Sequence, residues 1–278
     1  MLVVILCLAL SGLILDLTYI RDNTILRHSF GTVYPLIFSA LLFYCIAGWL
    51  FISRKLNKLI FIIMIILSSI FIFKYLNARN DAISLLLLLL VFLFNNKYPI
   101  FEKKIIGLGN IFLILFSTIT IFISKIIPSS SMLYVYLDSL FSGRLNMQYL
   151  LFQMYEPKLL GQYLYQMGNG VATGPVLNYF YIDSSYTKLF FSAGILFYLC
   201  IMFLYFKLIY SLNKVGLRKQ AFILIIIGLN GLVEDSFINL SLNNFILLVL
   251  ITKEHYLNDL ELRVNNETIS FNNNYSNI

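Results

Sequence analysis

From Ile105 to Ile127 the chain runs for 23 residues with a single charged side chain, Lys125. That length and polarity match the ~20 residues a helix needs to cross a bilayer's hydrocarbon core. Seven further windows read the same way: Leu2–Ile20, Gly31–Ile52, Leu59–Tyr75, Asp81–Phe94, Tyr186–Ile209, Ala221–Ser236 and Ile238–Thr252. The runs are continuously apolar rather than alternating, which favours helices over a barrel. Only 12% of residues are charged and 60% are hydrophobic, whereas a soluble domain carries about 25% charge. The expected fold class is all-α: a polytopic helical membrane protein with about eight transmembrane helices and one large loop containing short helices.

Charge placement predicts the orientation. Arg54, Lys55 and Lys58 follow the second window, Lys97, Lys103 and Lys104 the fourth, and Lys207, Lys214, Arg218 and Lys219 the sixth. The intervening short connectors hold only Arg21, Arg27, Lys74 and Arg79, giving ten basic residues against four. Excess Lys and Arg marks the cytoplasmic side, so both termini are expected there; the low-charge, Ile- and Asn-rich composition suggests a bacterial origin and hence a bacterial cytoplasmic membrane. Trp49 suits an anchor at the inner interface. Met1 opens on apolar residues without a basic stretch, which reads as a retained first span rather than a cleaved leader.

The net charge of +7 is accounted for by these connectors and calls for no nucleic acid. Cys7, Cys45 and Cys200 fall inside predicted spans, and the two histidines, His28 and His255, lie far apart. That pattern predicts neither a disulfide framework nor a metal site. No Walker loop, zinc-protease motif, nucleophile elbow or dinucleotide fingerprint occurs, so no bound cofactor is expected.

The expected organisation is an N-terminal bundle of about five spans over 1–127, a large loop over 128–185, further spans over 186–257, and a disordered Asn-rich tail over 258–278. The loop is predicted to lie outside the cytoplasm. It holds three of the five prolines, five of the fourteen glycines and eight of the nineteen tyrosines. Leu145 to Tyr155 reads as a short apolar helix with Ser142 as its N-cap and Pro157 just beyond its end.

Candidate chemistry sits on this outer face. Arg144 is a lone cation at the start of that helix, where a guanidinium fork and free amides would suit a phosphate; it would equally suit a side chain reaching for lipid headgroups. Arg79 precedes a short apolar run, so Asn80, Asp81 and Arg79 itself are drawn toward the membrane boundary, and Arg79–Asp81 pairing is the plain alternative. Lys158 and Lys188 are further outer cations that would otherwise sit in a solvated loop and anchor a helix start. Asp183 is positioned either as a general base for a hydroxyl or as a helix cap. Glu234 and Asp235 form either a polar turn or a partner for substrate, Arg79 or Arg144. Tyr163 and Tyr181 could stack on sugar rings or belong to an interfacial belt.

Three of these segments carry a family resemblance: Leu76-Asn77-Ala78-Arg79-Asn80, then Phe141-Ser142-Gly143-Arg144, then Ile182-Asp183-Ser184-Ser185-Tyr186 followed by Phe191-Ser192-Ala193-Gly194-Ile195. Together they resemble the Wzy-type polysaccharide polymerases of the O-antigen ligase/polymerase superfamily, over roughly Leu76 to Tyr205. Ser184 stands where the family often has Asn, the loop has no histidine, and eight spans are fewer than is usual there. The resemblance implies a metal-independent transfer of a growing glycan from undecaprenyl pyrophosphate to an incoming lipid-linked repeat unit. Arg144 and Arg79 would hold diphosphate, Asp183 or Glu234 would handle the acceptor hydroxyl, and Lys158, Lys188, Tyr163 and Tyr181 would contact substrate. Implied partners are the lipid-linked oligosaccharide, membrane lipid, a flippase and a chain-length regulator. The alternatives are a flippase or exporter of the same lipid-linked sugars, and a truncated non-catalytic membrane subunit.

Overall fold

A computed structural model describes residues 11–13, 15–21, 25–53, 57–94, 98–168 and 179–250. These residues form an antiparallel hairpin of β1 (Thr18–Arg21) and β2 (Ile25–His28), then nine α-helices. The helices are α1 (Pro35–Ile52), α2 (Lys58–Phe71), α3 (Arg79–Phe94), α4 (Pro99–Ile126), α5 (Met132–Leu140), α6 (Arg144–Met154), α7 (Ser185–Ser192), α8 (Ile195–Val215) and α9 (Arg218–Asn230). Two 3-10 turns, Asp235–Ile238 and Asn244–Leu250, complete the described chain.

The chain is mostly helical. Four stretches are long and apolar enough to cross a membrane: Pro35–Ile52, Lys58–Leu76, Pro99–Ile126 and Ile195–Val215. The second of these is α2 extended by a π-helical turn, Ile72–Leu76, which ends at Asn77 in the left-handed region, with φ of 49°. Along α4, Leu108, Ile111, Leu115 and Ile119 are exposed while Ile106, Asn110, Leu113, Ser117 and Ile121 are buried. One helix face therefore packs on protein and the opposite face is apolar yet uncovered, as suits a lipid-facing surface.

The other expected spans differ. Thr18–Ile20, inside the first window, is strand rather than helix; its β-branched and aromatic residues suit a pleated ribbon. Asp16 secures the hairpin by accepting from the Ser29 and Phe30 amides at 2.9 and 2.8 Å and meeting His28 at 2.6 Å. The fourth window forms the 16-residue α3, below span length. The sixth window breaks at Ala193–Gly194, giving α7 and α8. In the seventh window the helix, α9, stops at Asn230, and the eighth window is chiefly 3-10 turn as far as it is described. Cys7, His255 and the 258–278 tail lie outside the described residues.

The short α9 is nevertheless the centre of the bundle. Ile223 through Gly228 are all buried, so the helix is apolar all round and enclosed; it packs on α1, α3, α4 and α8. Gly228 allows a close approach to α4, since a Cβ there would come within 2.6 Å of the Leu113 side chain. The same position accepts the Tyr186 hydroxyl on its carbonyl at 2.7 Å.

The two ends of the bundle differ in chemistry. At one end Lys219 Nζ donates to the Ser53 carbonyl at 2.6 Å and Asn213 Nδ2 to the Lys103 carbonyl at 3.1 Å, so basic connectors meet there. The opposite end gathers the start of α3, the end of α9, α6 and α7. That end carries the candidate site.

Candidate functional site

Arg144 is the first residue of α6, and the turn before it is tight. Ser142 and Gly143 both take positive φ, 56° and 82°. Gly143, not Ser142, occupies the N-cap and offers no side chain. The cap comes from a neighbour: Asp138 on α5 accepts from the Asn146 amide at 2.9 Å. A carboxylate therefore already serves the helix start that seemed open to an anion.

The guanidinium turns toward two acids. Its Nε donates to Asp183 Oδ2 at 2.6 Å, and its Nη2 reaches Glu234 Oε1 at 3.5 Å. These residues lie 39 and 90 positions away in sequence. Burial works against the charge on Arg144, but Asp183 and Glu234 more than offset it and hold the group's proton more tightly than usual. Asp183 is thus an ion-pair partner, and the cap of α7 is Ser184, whose Oγ accepts from the Thr187 amide at 3.5 Å.

A second pair lies alongside. Lys188 Nζ donates to Asp235 Oδ2 at 2.9 Å, and the Tyr181 hydroxyl donates to the same oxygen. The ammonium also lies 5.1 Å from the Tyr181 ring centre, within cation–π range. Burial and the adjacent Asp235 both push the Tyr181 phenol well up. Tyr181 is fixed in turn by its neighbours: Met167 and Phe180 exchange backbone bonds at 2.8 and 3.0 Å, and the Ile182 amide donates to Gln166 Oε1 at 3.3 Å.

The acidic turn is clamped from α7. Ser185 Oγ donates to the Glu234 carbonyl at 2.6 Å and accepts from the Phe237 amide at 3.2 Å. The Ser185 amide donates to the Gly231 carbonyl at 3.0 Å. One serine beside Asp183 therefore sets where Glu234 and Asp235 stand.

The cluster holds two cations, Arg144 and Lys188, and three carboxylates, Asp183, Glu234 and Asp235. Each cation has one close acid, and the third acid is left with the longest contact. That acid is Glu234, only 12% exposed. Burial pushes its carboxyl up to about 8, against the pull of Arg144, with Asp183 and Asp235 adding to the rise. At neutral pH the cluster is electrically balanced with one proton on Glu234. Among the described residues, no group of His, Cys, Asp and Glu is arranged to hold a metal ion.

A cavity of about 70 Å³ opens beside Arg144 and Asp183, lined chiefly by apolar side chains such as Phe141, Met147 and Val233. A larger one, about 300 Å³, lies where α4 ends against α6; Lys125 lines it and no carboxylate does. The smaller cavity is therefore the one equipped for proton transfer.

Of the predicted site residues, the structure brings together Arg144, Asp183, Glu234, Lys188 and Tyr181. It does not bring Arg79, Lys158 or Tyr163 to them. Arg79 is exposed at the start of α3, and Asp81 bonds elsewhere, so the Arg79–Asp81 pair does not form. Lys158 is exposed and contributes only its carbonyl, which accepts from the Ile195 amide at 3.1 Å. Tyr163 is 84% exposed. Asp235, read from the sequence only together with Glu234, pairs with Lys188 rather than with an arginine; Ser185 joins the site without having been singled out for it, and its one sequence hint was its place two residues after Asp183. No protein-family model matches the chain, and comparison with curated proteins and with solved structures produced no match.

Proposed function

We propose that the chain polymerises lipid-linked oligosaccharide repeat units, with undecaprenyl pyrophosphate as the carrier, at the extracytoplasmic face of a bacterial cytoplasmic membrane. The single observation that carries this reading is Arg144 bridging Asp183 and Glu234 beside an apolar-lined cavity, at the bundle end opposite the basic connectors. Glu234, whose carboxyl is pushed up to about 8, suits a proton donor, and Asp183, paired with Arg144, suits a proton acceptor.

In the proposed reaction the acceptor sugar hydroxyl attacks the anomeric carbon of the growing chain. A new C–O bond forms, and the bond to the carrier breaks with its electron pair leaving on the diphosphate. Asp183, the ion-pair partner of Arg144, takes the hydroxyl proton. Glu234, protonated at neutral pH, gives its proton to the departing diphosphate oxygen. Arg144 has five N–H donors and spends two on these carboxylates, which leaves others for the charge that develops in the transition state.

Complementation of a polymerase-null strain tests the reading. Arg144→Ala is expected to insert normally and leave single repeat units; long chains at normal expression would remove Arg144 from the site. A transport reading draws on one observation, the buried polar line from Asp81 to Tyr44 inside the bundle. Reconstituted vesicles with labelled repeat units separate the two. New glycosidic bonds support polymerisation, and a change of sidedness without them supports transport.

A further inference from the structure

Asp81 is 2% exposed, and its only hydrogen-bond partners among the described residues are neutral. Asn230 Nδ2 donates to its Oδ1 at 2.8 Å and to Ser84 Oγ at 3.2 Å. The Ser39 hydroxyl stands 2.5 Å from Asp81 Oδ2 and 2.9 Å from the Leu36 carbonyl. A hydroxyl has one proton to give. If Ser39 gives it to Leu36, the bond to Asp81 requires a proton on the Asp81 carboxyl.

A neutral Asp81 puts the whole chain of donors in one direction. Tyr44 donates to Ser236 at 3.3 Å, Ser236 to Asn230 Oδ1 at 3.2 Å, Asn230 to Asp81, Asp81 to Ser39, and Ser39 to Leu36. An ionised Asp81 would instead be a buried charge without a cation, which is far more costly than a buried neutral acid.

This line ends on the acidic turn. Asn80 Nδ2 donates to the Asn230 carbonyl at 3.3 Å, and the same carbonyl accepts from the Val233 and Glu234 amides at 3.2 and 3.1 Å. Asn80 thus grips the backbone of Asn230 while Asp81 grips its side chain. Ser236, which follows Asp235, is tied to that side chain from the other side of the turn.

We infer that Asp81 is a positioning residue for the acidic turn, acting as a neutral carboxylic acid through Asn230 and Ser236 to hold Glu234 and Asp235 against Arg144 and Lys188. This inference rests on the hydrogen-bond geometry and not on the polymerase reading, and its readout needs no substrate. The titratable groups around Glu234 are Arg144 on α6, Asp183 before α7 and Asp235 beside it, whose charges act on it, and Asp81 on α3 and Tyr44 on α1, which are neutral on this reading. If the turn relaxes, Glu234 gains water and its titration midpoint falls toward the ordinary carboxylate range.

The experiment is an infrared carboxyl-stretch titration of the purified protein in detergent, with the Glu234 band identified as the one missing from Glu234→Gln. Asp81→Asn keeps one donor and one acceptor in place and mimics the neutral acid, so its midpoint should stay within about half a unit of the parent's. Asp81→Ala and Ser236→Ala should each lower it by about one unit or more. A fall in Asp81→Asn as large as in Asp81→Ala would overturn the inference, because the charge would then be what matters. Should Asp81→Ala fail to insert, Asp81→Asn and Ser236→Ala decide the matter, and an unchanged midpoint in Ser236→Ala would equally overturn it.

Discussion

Glu234→Gln should remove a pH dependence of stability that the wild-type protein carries through the neutral range. The folded protein holds the Glu234 proton up to about 8, whereas an ordinary glutamate releases it near 4.5. Between those values the folded state binds the extra proton and the unfolded state does not, so stability falls as pH rises. The slope approaches about 1.4 kcal/mol per pH unit well below the folded value and flattens near it. Between pH 6 and pH 8 the loss amounts to roughly 2 kcal/mol. Glutamine keeps the size and hydrogen-bonding edge but has no proton to exchange, so the difference between the two proteins isolates this one group. Equilibrium unfolding by SDS in mixed micelles, at several pH values, measures it. A wild-type-minus-variant difference that is flat from pH 6 to 8, or that rises with pH, would refute the account of Glu234 as the odd acid of the cluster.

Arg144 and Asp183 should show a coupling of about 1.5–3 kcal/mol in a double-mutant cycle of Arg144→Ala and Asp183→Asn; a value near zero would mean that the ion pair does not form in the membrane. Arg144→Lys should fail to restore function in complementation, since an ammonium cannot donate along both Nε and Nη2 directions. Arg79 is exposed at a helix start, so Arg79→Ala should change stability by less than about 0.5 kcal/mol, and single repeat units from that variant would then identify a substrate contact. Gly161→Ala should lower stability by about 2 kcal/mol or more, read as a drop in midpoint in the same unfolding assay, because φ is +85° and the added Cβ would collide with the Ser192 carbonyl.

The apolar windows made the helical class legible, since their length is set by one-dimensional pattern alone. The start of α6 was legible to within a residue, because Ser142 and the apolar run from Leu145 mark a boundary locally, although the cap itself is Gly143. What decides the remaining helix ends is tertiary. The break at Ala193–Gly194 exists because Gly161, distant in sequence, packs backbone to backbone against it, and nothing in the local pattern distinguishes that glycine from one in an unbroken helix. The shortening of the last two windows follows from the turn that Asn230, Ser185 and Gly231 build around Glu234. The site shows the same division. Arg144, Asp183 and Glu234 stood out as polar residues in apolar surroundings, but their pairing spans up to 90 positions and depends on how α6, α7 and α9 dock. The role of Asp81 was hidden by Arg79, its nearer and more conspicuous neighbour.

The seam between Lys158–Gln162 and the start of α8 has a dynamic consequence. The Lys158 and Leu159 carbonyls accept from the Ile195 and Leu196 amides at 3.1 and 3.2 Å, and the Gln162 amide donates to the Ser192 carbonyl at 3.0 Å. Those amides belong to the unpaired first turn of a helix, which needs outside acceptors. Peeling this stretch of polypeptide away therefore strips α8 of its opening bonds, and the two events share a single free-energy cost. Deuterium uptake at Ile195 and Leu196 then acts as a gauge of how firmly Lys158–Gln162 stays fastened, readable without any substrate.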